Sequence, residues 1–186
     1  MLYITQVINI IFSTLGTYIF NERHFRRKKW LEFSQRRLDE FYGPMLGLIK
    51  QVTENAKNTI KLWDSSDQAW REICKDHPHP FEDHDRYFEP FQKMLEDENE
   101  RFRKEDIPAL DKMLEIFKSK MHLAYPSTIK LFPQFSQYVD QFHRRLPYEV
   151  LKRLDLSGEP LAKLSADVEA HVDSLRHKLS GEKRVK

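Results

Sequence analysis

The chain has 186 residues, 32% of them charged and 40% hydrophobic, with a formal net charge of +2. This composition suits one folded domain with a highly solvated surface and excludes disorder; a charge so close to zero does not by itself imply a nucleic-acid partner. Cys74 is the only cysteine, so no internal disulfide exists, which fits a reducing compartment, and five glycines with no sustained period-two alternation leave β-structure little support.

The first element is Leu2–Phe20, nineteen residues without a charge. That is about the length a helix needs to cross a hydrocarbon core. The sixteen residues Glu22–Arg37 then carry seven Lys or Arg against two Glu. No basic residue precedes the apolar stretch, and the residues at its end are bulky, so a cleaved signal peptide is not expected. Residues 1–21 therefore read as a transmembrane anchor and residues 22–41 as a basic juxtamembrane helix. Arg23, Arg26, Arg27, Lys28 and Lys29 would meet lipid headgroups on the cytoplasmic side, with the amino terminus outside. Within the span, Gln6, Asn9, Ser13 and Gly16 recur at helical spacing and share one face. Polar and small residues in lipid favour helix–helix contact, so this stripe is a candidate for association with a second copy or a membrane partner.

Residues 42–180 read as a cytoplasmic helical domain and 181–186 as a flexible tail. The whole is expected to be all-α, a transmembrane helix continuing into an antiparallel bundle of about four to six helices. Phe41-Tyr42-Gly43-Pro44 is the clearest punctuation, with Gly allowing a sharp turn and Pro suiting the first turn of a new helix. Met45, Leu48, Ile49, Val52, Ala56, Ile60, Trp63 and Trp70 follow at spacings of mostly three or four and are expected to be core, on a helix reaching about Lys75 with a break near Ser65-Ser66.

Asp76–Asp85 must contain a loop, because Pro78 and Pro80 remove donors and disfavour helix before them. His77, His79, Asp83 and His84 crowd there, and two His with a carboxylate can hold a metal; no established metal spacing matches, and a solvated or pH-sensitive loop is the plainer reading. Tyr87, Phe88, Phe91, Leu95 and Phe102 mark the next helix, whose charge run Glu96–Lys104 reads as a solvated face. Asp106 then caps a restart with Pro108 in its first turn. Ile107, Leu110, Leu114, Phe117 and Met121 form its stripe. Tyr125-Pro126 closes it, Ser127 caps its successor, and Pro133 marks a kink or the true start. Leu161, Leu164, Val168, Val172, Leu175 and Leu179 on the last helix approach a heptad seam, packed within the chain or between copies, and Gly181 stops it.

Phe41-Tyr42-Gly43-Pro44-Met45-Leu46, Tyr87-Phe88-Glu89-Pro90 and Asp106-Ile107-Pro108-Ala109-Leu110, following an amino-terminal span and a basic helix, resemble uncharacterised bacterial single-pass membrane proteins with a Tyr-Gly-Pro helix start. The resemblance covers most of the chain, implies an inner-membrane location, and supplies no catalytic residues. No nucleophile motif, phosphate loop or paired metal-binding helix motif is present, and no cofactor is expected. The sequence thus points to a non-catalytic, membrane-anchored interaction or scaffold module in the inner membrane. Its expected partners are the lipid bilayer and a protein partner or second copy, with no nucleic acid and no evident small-molecule substrate. Two other readings stand beside it: a membrane-acting effector of a bacterial system, such as one of anti-phage defence, working through oligomerised spans, and a metal protein built on the His77–Asp85 loop.

Overall fold

In the computed structural model, the structure describes the backbone of residues 2–77, 84–145 and 158–181 and the side chains of residues 20–77, 86–144 and 158–181. The described residues are almost all helical, with no strand among them. Helix α1 spans Leu2–Arg37 and passes through a π-helical segment, Leu38–Tyr42, into α2, Gly43–Asp76. A short α3, His84–Tyr87, and α4, Glu89–Arg101, precede a second π segment, Phe102–Asp106, which feeds α5, Ile107–Lys120. A 3-10 turn, Met121–Leu123, leads to α6, Pro126–Arg145, and α7, Glu159–Ser180, completes the domain. Among the described residues no helix is long and apolar enough to cross a membrane. The side chains of residues 2–19, on which the expected span rests, lie outside the described residues.

Both π segments have one cause. Each stands just before a helix whose second residue is proline, Pro44 or Pro108. Proline has no N–H, and in an α-helix its ring clashes with the carbonyl four residues back. Widening the preceding turn relieves the clash, and the N–H groups of Gly43 and Ile107 reach the carbonyls of Leu38 and Phe102, five residues earlier. The sharp turn expected at Gly43-Pro44 is therefore absent: Gly43 has ordinary helical angles, φ −64° and ψ −54°. Its lack of a side chain matters for space, since a Cβ there would lie 2.8 Å from the Leu38 carbonyl oxygen. Asp106 likewise sits inside the helical path with φ −76° and makes no capping bond. Ser65 and Ser66 do not interrupt α2, because their hydroxyls donate back to the carbonyls of Lys61 and Leu62. Pro133 lies inside α6, which begins at Pro126, so Ser127 is not its cap. Gly181 does end α7, in the left-handed conformation at φ 71°.

The core lies where the first π segment, α2, α5, α6 and α7 meet. Phe41 and Tyr42 are fully buried. Phe41 packs edge-on to Phe117 with ring centres 5.4 Å apart, and Phe117 in turn meets Phe132 at 5.2 Å and Phe135 at 6.1 Å. Leu164, Val168, Val172 and Leu175 are fully buried in this same core, so the heptad-like seam of α7 is used within the chain. The expected core of α2 extends only to Val52. Farther along, Ile60 is 61% and Trp63 54% exposed, and Trp70 is half-buried against Phe88 and Phe91 of the α3–α4 region. The helix outruns the elements that could cover it.

The Gly43 contact is testable against Gly47, where a Cβ meets nothing within 4 Å. Gly43→Ala should destabilise the domain by about 1–3 kcal/mol, the usual range for overpacking. Gly47→Ala, at an exposed helical position, should stabilise it by about 0.5–1 kcal/mol. Urea denaturation of the two variants measures both.

Candidate functional site

Two polar clusters form on opposite flanks of the core. The first gathers around Tyr42, whose hydroxyl lies 2.9 Å from Thr128 Oγ1 and accepts the Tyr125 backbone N–H at 2.8 Å. Thr128 donates to Asp167 Oδ2 at 2.5 Å. His171 of α7 stacks on Tyr125 at 4.3 Å between ring centres, and its Nε2 is 2.8 Å from Ser127 Oγ. The Arg37 guanidinium covers the other rings, 4.1 Å from Tyr125 and 4.6 Å from Phe33. This stacking accounts for its Nε, which is buried without a hydrogen-bond partner.

Ser127, His171 and Asp167 have the composition of a nucleophile–base–acid trio but not its connectivity. Asp167 approaches the same Nε2, at 3.5 Å, that faces Ser127. A relay needs one ring nitrogen for the nucleophile and the other for the carboxylate that orients it. This cluster is an interlock. Burial pushes the Tyr42 hydroxyl up to about 12, offset in part by its bonds to Thr128 and Tyr125. Burial also holds the His171 imidazole below its usual value; Asp167 opposes that, while Lys178 and Arg37 add to it.

The second cluster lines a cavity of about 700 Å³ between α2, α4, the second π segment, α6 and α7. Its walls are mainly apolar, from Val52, Leu95, Phe102, Tyr138, Phe142 and Leu161, and the exposed Ile60 and Trp63 stand at its edge. At its polar end Asn55 donates to Asp106 Oδ1 at 2.7 Å, and Arg101 donates through Nη2 to Glu98 at 2.8 Å and to Thr59 at 2.7 Å. Asp106 is 4% exposed; burial pushes its carboxyl up despite the Asn55 bond and the Arg101 charge. Arg101 holds Glu98 below the usual carboxylate range. The π turn at Phe102–Asp106 lets the first and last residues of one five-residue segment both line this cavity. A pocket this size, with apolar walls and a few converging polar groups, has the character of a small-molecule site.

The residues singled out from sequence lie elsewhere. Arg23, Arg26, Arg27, Lys28 and Lys29 are exposed on α1, with Arg26 paired to Glu22 and Lys29 lying over the Phe25 ring at 4.5 Å. Gln6, Asn9, Ser13 and Gly16 fall on the helical backbone of α1, their side chains outside the described residues. His77 is exposed and packs against Tyr87 at 4.7 Å; His79 and Asp83 lie outside the described residues, as does the side chain of His84. Among the described residues no three His, Cys, Asp or Glu stand together as a metal site. Neither cluster was named from sequence. The only signal for the second was the pair of acidic and basic residues around Arg101, which reads equally as a solvated face.

No protein-family model matches this chain, and neither the curated proteins nor the solved structures include a significant match to it.

The His171 shift gives a pH dependence with a definite sign. With the folded-state value depressed, the unfolded chain binds the proton more readily, so this contribution is full above about 6.5, the unfolded value. It is lost as pH falls from there through the folded value. Thermal melting of the wild-type chain should drop across this window, and His171→Gln should flatten the drop. Tyr42→Phe should cost about 1–3 kcal/mol at all pH values in the same assay, because it strips partners from buried groups.

Proposed function

We propose that the protein is a membrane-tethered helical recognition module of the bacterial inner membrane, with the domain on the cytoplasmic side and binding, not chemistry, as its task. The observation that carries this reading is the base of α1. Phe20 is 69% and Phe25 56% exposed, and Trp30 and Phe33 are exposed as well, interleaved with Arg23, Arg26, Arg27, Lys28 and Lys29. At about 100° per residue these four rings point in several directions, so no single protein face covers them. Phe20 and Phe25 are separated by about 8 Å of helix rise, comparable to a headgroup layer, and aromatic and basic side chains together suit that layer. The uncharged stretch Leu2–Phe20 lies directly before them.

α1 continues without a break from that stretch to Arg37, which supports a rigid join between span and domain. The stripe Gln6, Asn9, Ser13 and Gly16 supports association of the span with a second copy or a protein partner in the bilayer. The open apolar cavity and the exposed end of α2 support recognition by the domain itself.

Fractionation tests the tether. The full chain should stay with membranes through an alkaline carbonate wash, and a chain lacking residues 1–21 should appear in the supernatant. Release of the full chain by the wash would overturn the reading.

A further inference from the structure

The geometry points to the cavity between α2, α4, α6 and α7 as a binding site for a lipophilic cation: a small organic molecule with an apolar body and an ammonium or guanidinium end. This goes beyond the tether reading and does not depend on it.

Size comes first. About 700 Å³ lies within the range of small-molecule pockets, and the walls supplied by Leu95, Phe102, Tyr138 and Phe142 offer an apolar body a partly aromatic surface. Charge then selects the polar end. Among the described lining residues three carboxylates, Glu98, Asp106 and Glu169, face one guanidinium, Arg101. That guanidinium donates to Glu98 and Thr59 and stands beside Asp106, so its single positive charge is already shared between two carboxylates. The carboxylates outnumber it. Asp106 receives Asn55 at Oδ1, but the Arg101 nitrogen nearest Oδ2 stands 3.7 Å away, outside hydrogen-bond range. Glu169 is exposed at the cavity edge on α7. The described lining thus carries an excess of negative charge, which a positive ligand end would balance. A buried carboxylate such as Asp106 gains from a charged donor brought beside it. An anionic amphiphile would be repelled by the same charge excess, and a neutral alcohol could offer a donor but no charge.

Three probes of matched shape separate these cases: 4-phenylbutylammonium, 4-phenylbutan-1-ol and 4-phenylbutanoate. Each is titrated by calorimetry into the full chain, held in phosphatidylcholine nanodiscs if it stays with membranes and in buffer if it washes off, with the matching protein-free blank subtracted. The ammonium should bind about ten-fold or more tighter than the alcohol, and the carboxylate most weakly. Asp106→Asn should reduce the ammonium to the level of the alcohol. Ala162→Trp, at an exposed α7 position lining the cavity, should weaken all three probes by filling their space. Glu98→Gln provides the same charge test at a second position and carries it if Asp106→Asn melts at the assay temperature. Absence of ammonium binding, equal or tighter binding of the carboxylate, or a cation preference that survives the charge-removing variant would overturn the proposal. A chain that binds the ammonium but washes off membranes would end the tether reading alone.

Discussion

The fold depends on placing one buried hydroxyl. Tyr42 is completely enclosed, and a hydroxyl out of water must find partners or cost the domain its desolvation. Its partners come from distant parts of the chain: the Tyr125 N–H ahead of α6, Thr128 within α6, and through Thr128 the Asp167 carboxylate of α7. The end of α1, the start of α6 and the middle of α7 must therefore meet at one point before any of these groups is satisfied. His171 and Arg37 extend the same junction by stacking on Tyr125. The Lys120–Glu40 ion pair, 2.8 Å long, closes it from α5 and holds the Glu40 carboxyl down to about 2. Because the junction grips the residues at and just after the end of α1, any force along α1 reaches the core directly, with no linker between.

The two π segments show a local rule with different consequences. In both, a proline at the second position of the following helix is accommodated by widening the turn before it. At Leu38–Tyr42 the widened turn carries two consecutive aromatic residues into the core. At Phe102–Asp106 it brings a ring and a carboxylate to the wall of a cavity. One backbone device thus serves packing in the first case and site construction in the second.

The two polar clusters differ in what surrounds them. Around Tyr42 the groups answer one another across three elements, which suits specificity of packing. Around Asp106 the groups link α2, α4 and the second π segment, and they stand at the wall of an apolar cavity instead of inside packed helices.

Much of the architecture was legible in the residues. Apolar positions three and four apart identified the helices, because that period alone puts one stripe against a core, and the α7 seam and the Gly181 stop followed directly. The punctuation was legible in place but not in kind: Gly43-Pro44 and Ile107-Pro108 read as breaks, and the chain instead stays helical, since a wider turn relieves a proline clash without leaving the helix. Trp63 and Ile60 carry the right spacing for a core and are nonetheless exposed, because periodicity says which face is apolar and not whether anything covers it. The Asp106 site was hidden for a related reason. Asn55, Thr59, Glu98, Arg101 and Asp106 look like ordinary surface residues on two helices, and only the packing of those helices buries a carboxylate and leaves a cavity beside it. Burial and charge balance are properties of neighbours in space, and the chain order does not contain them.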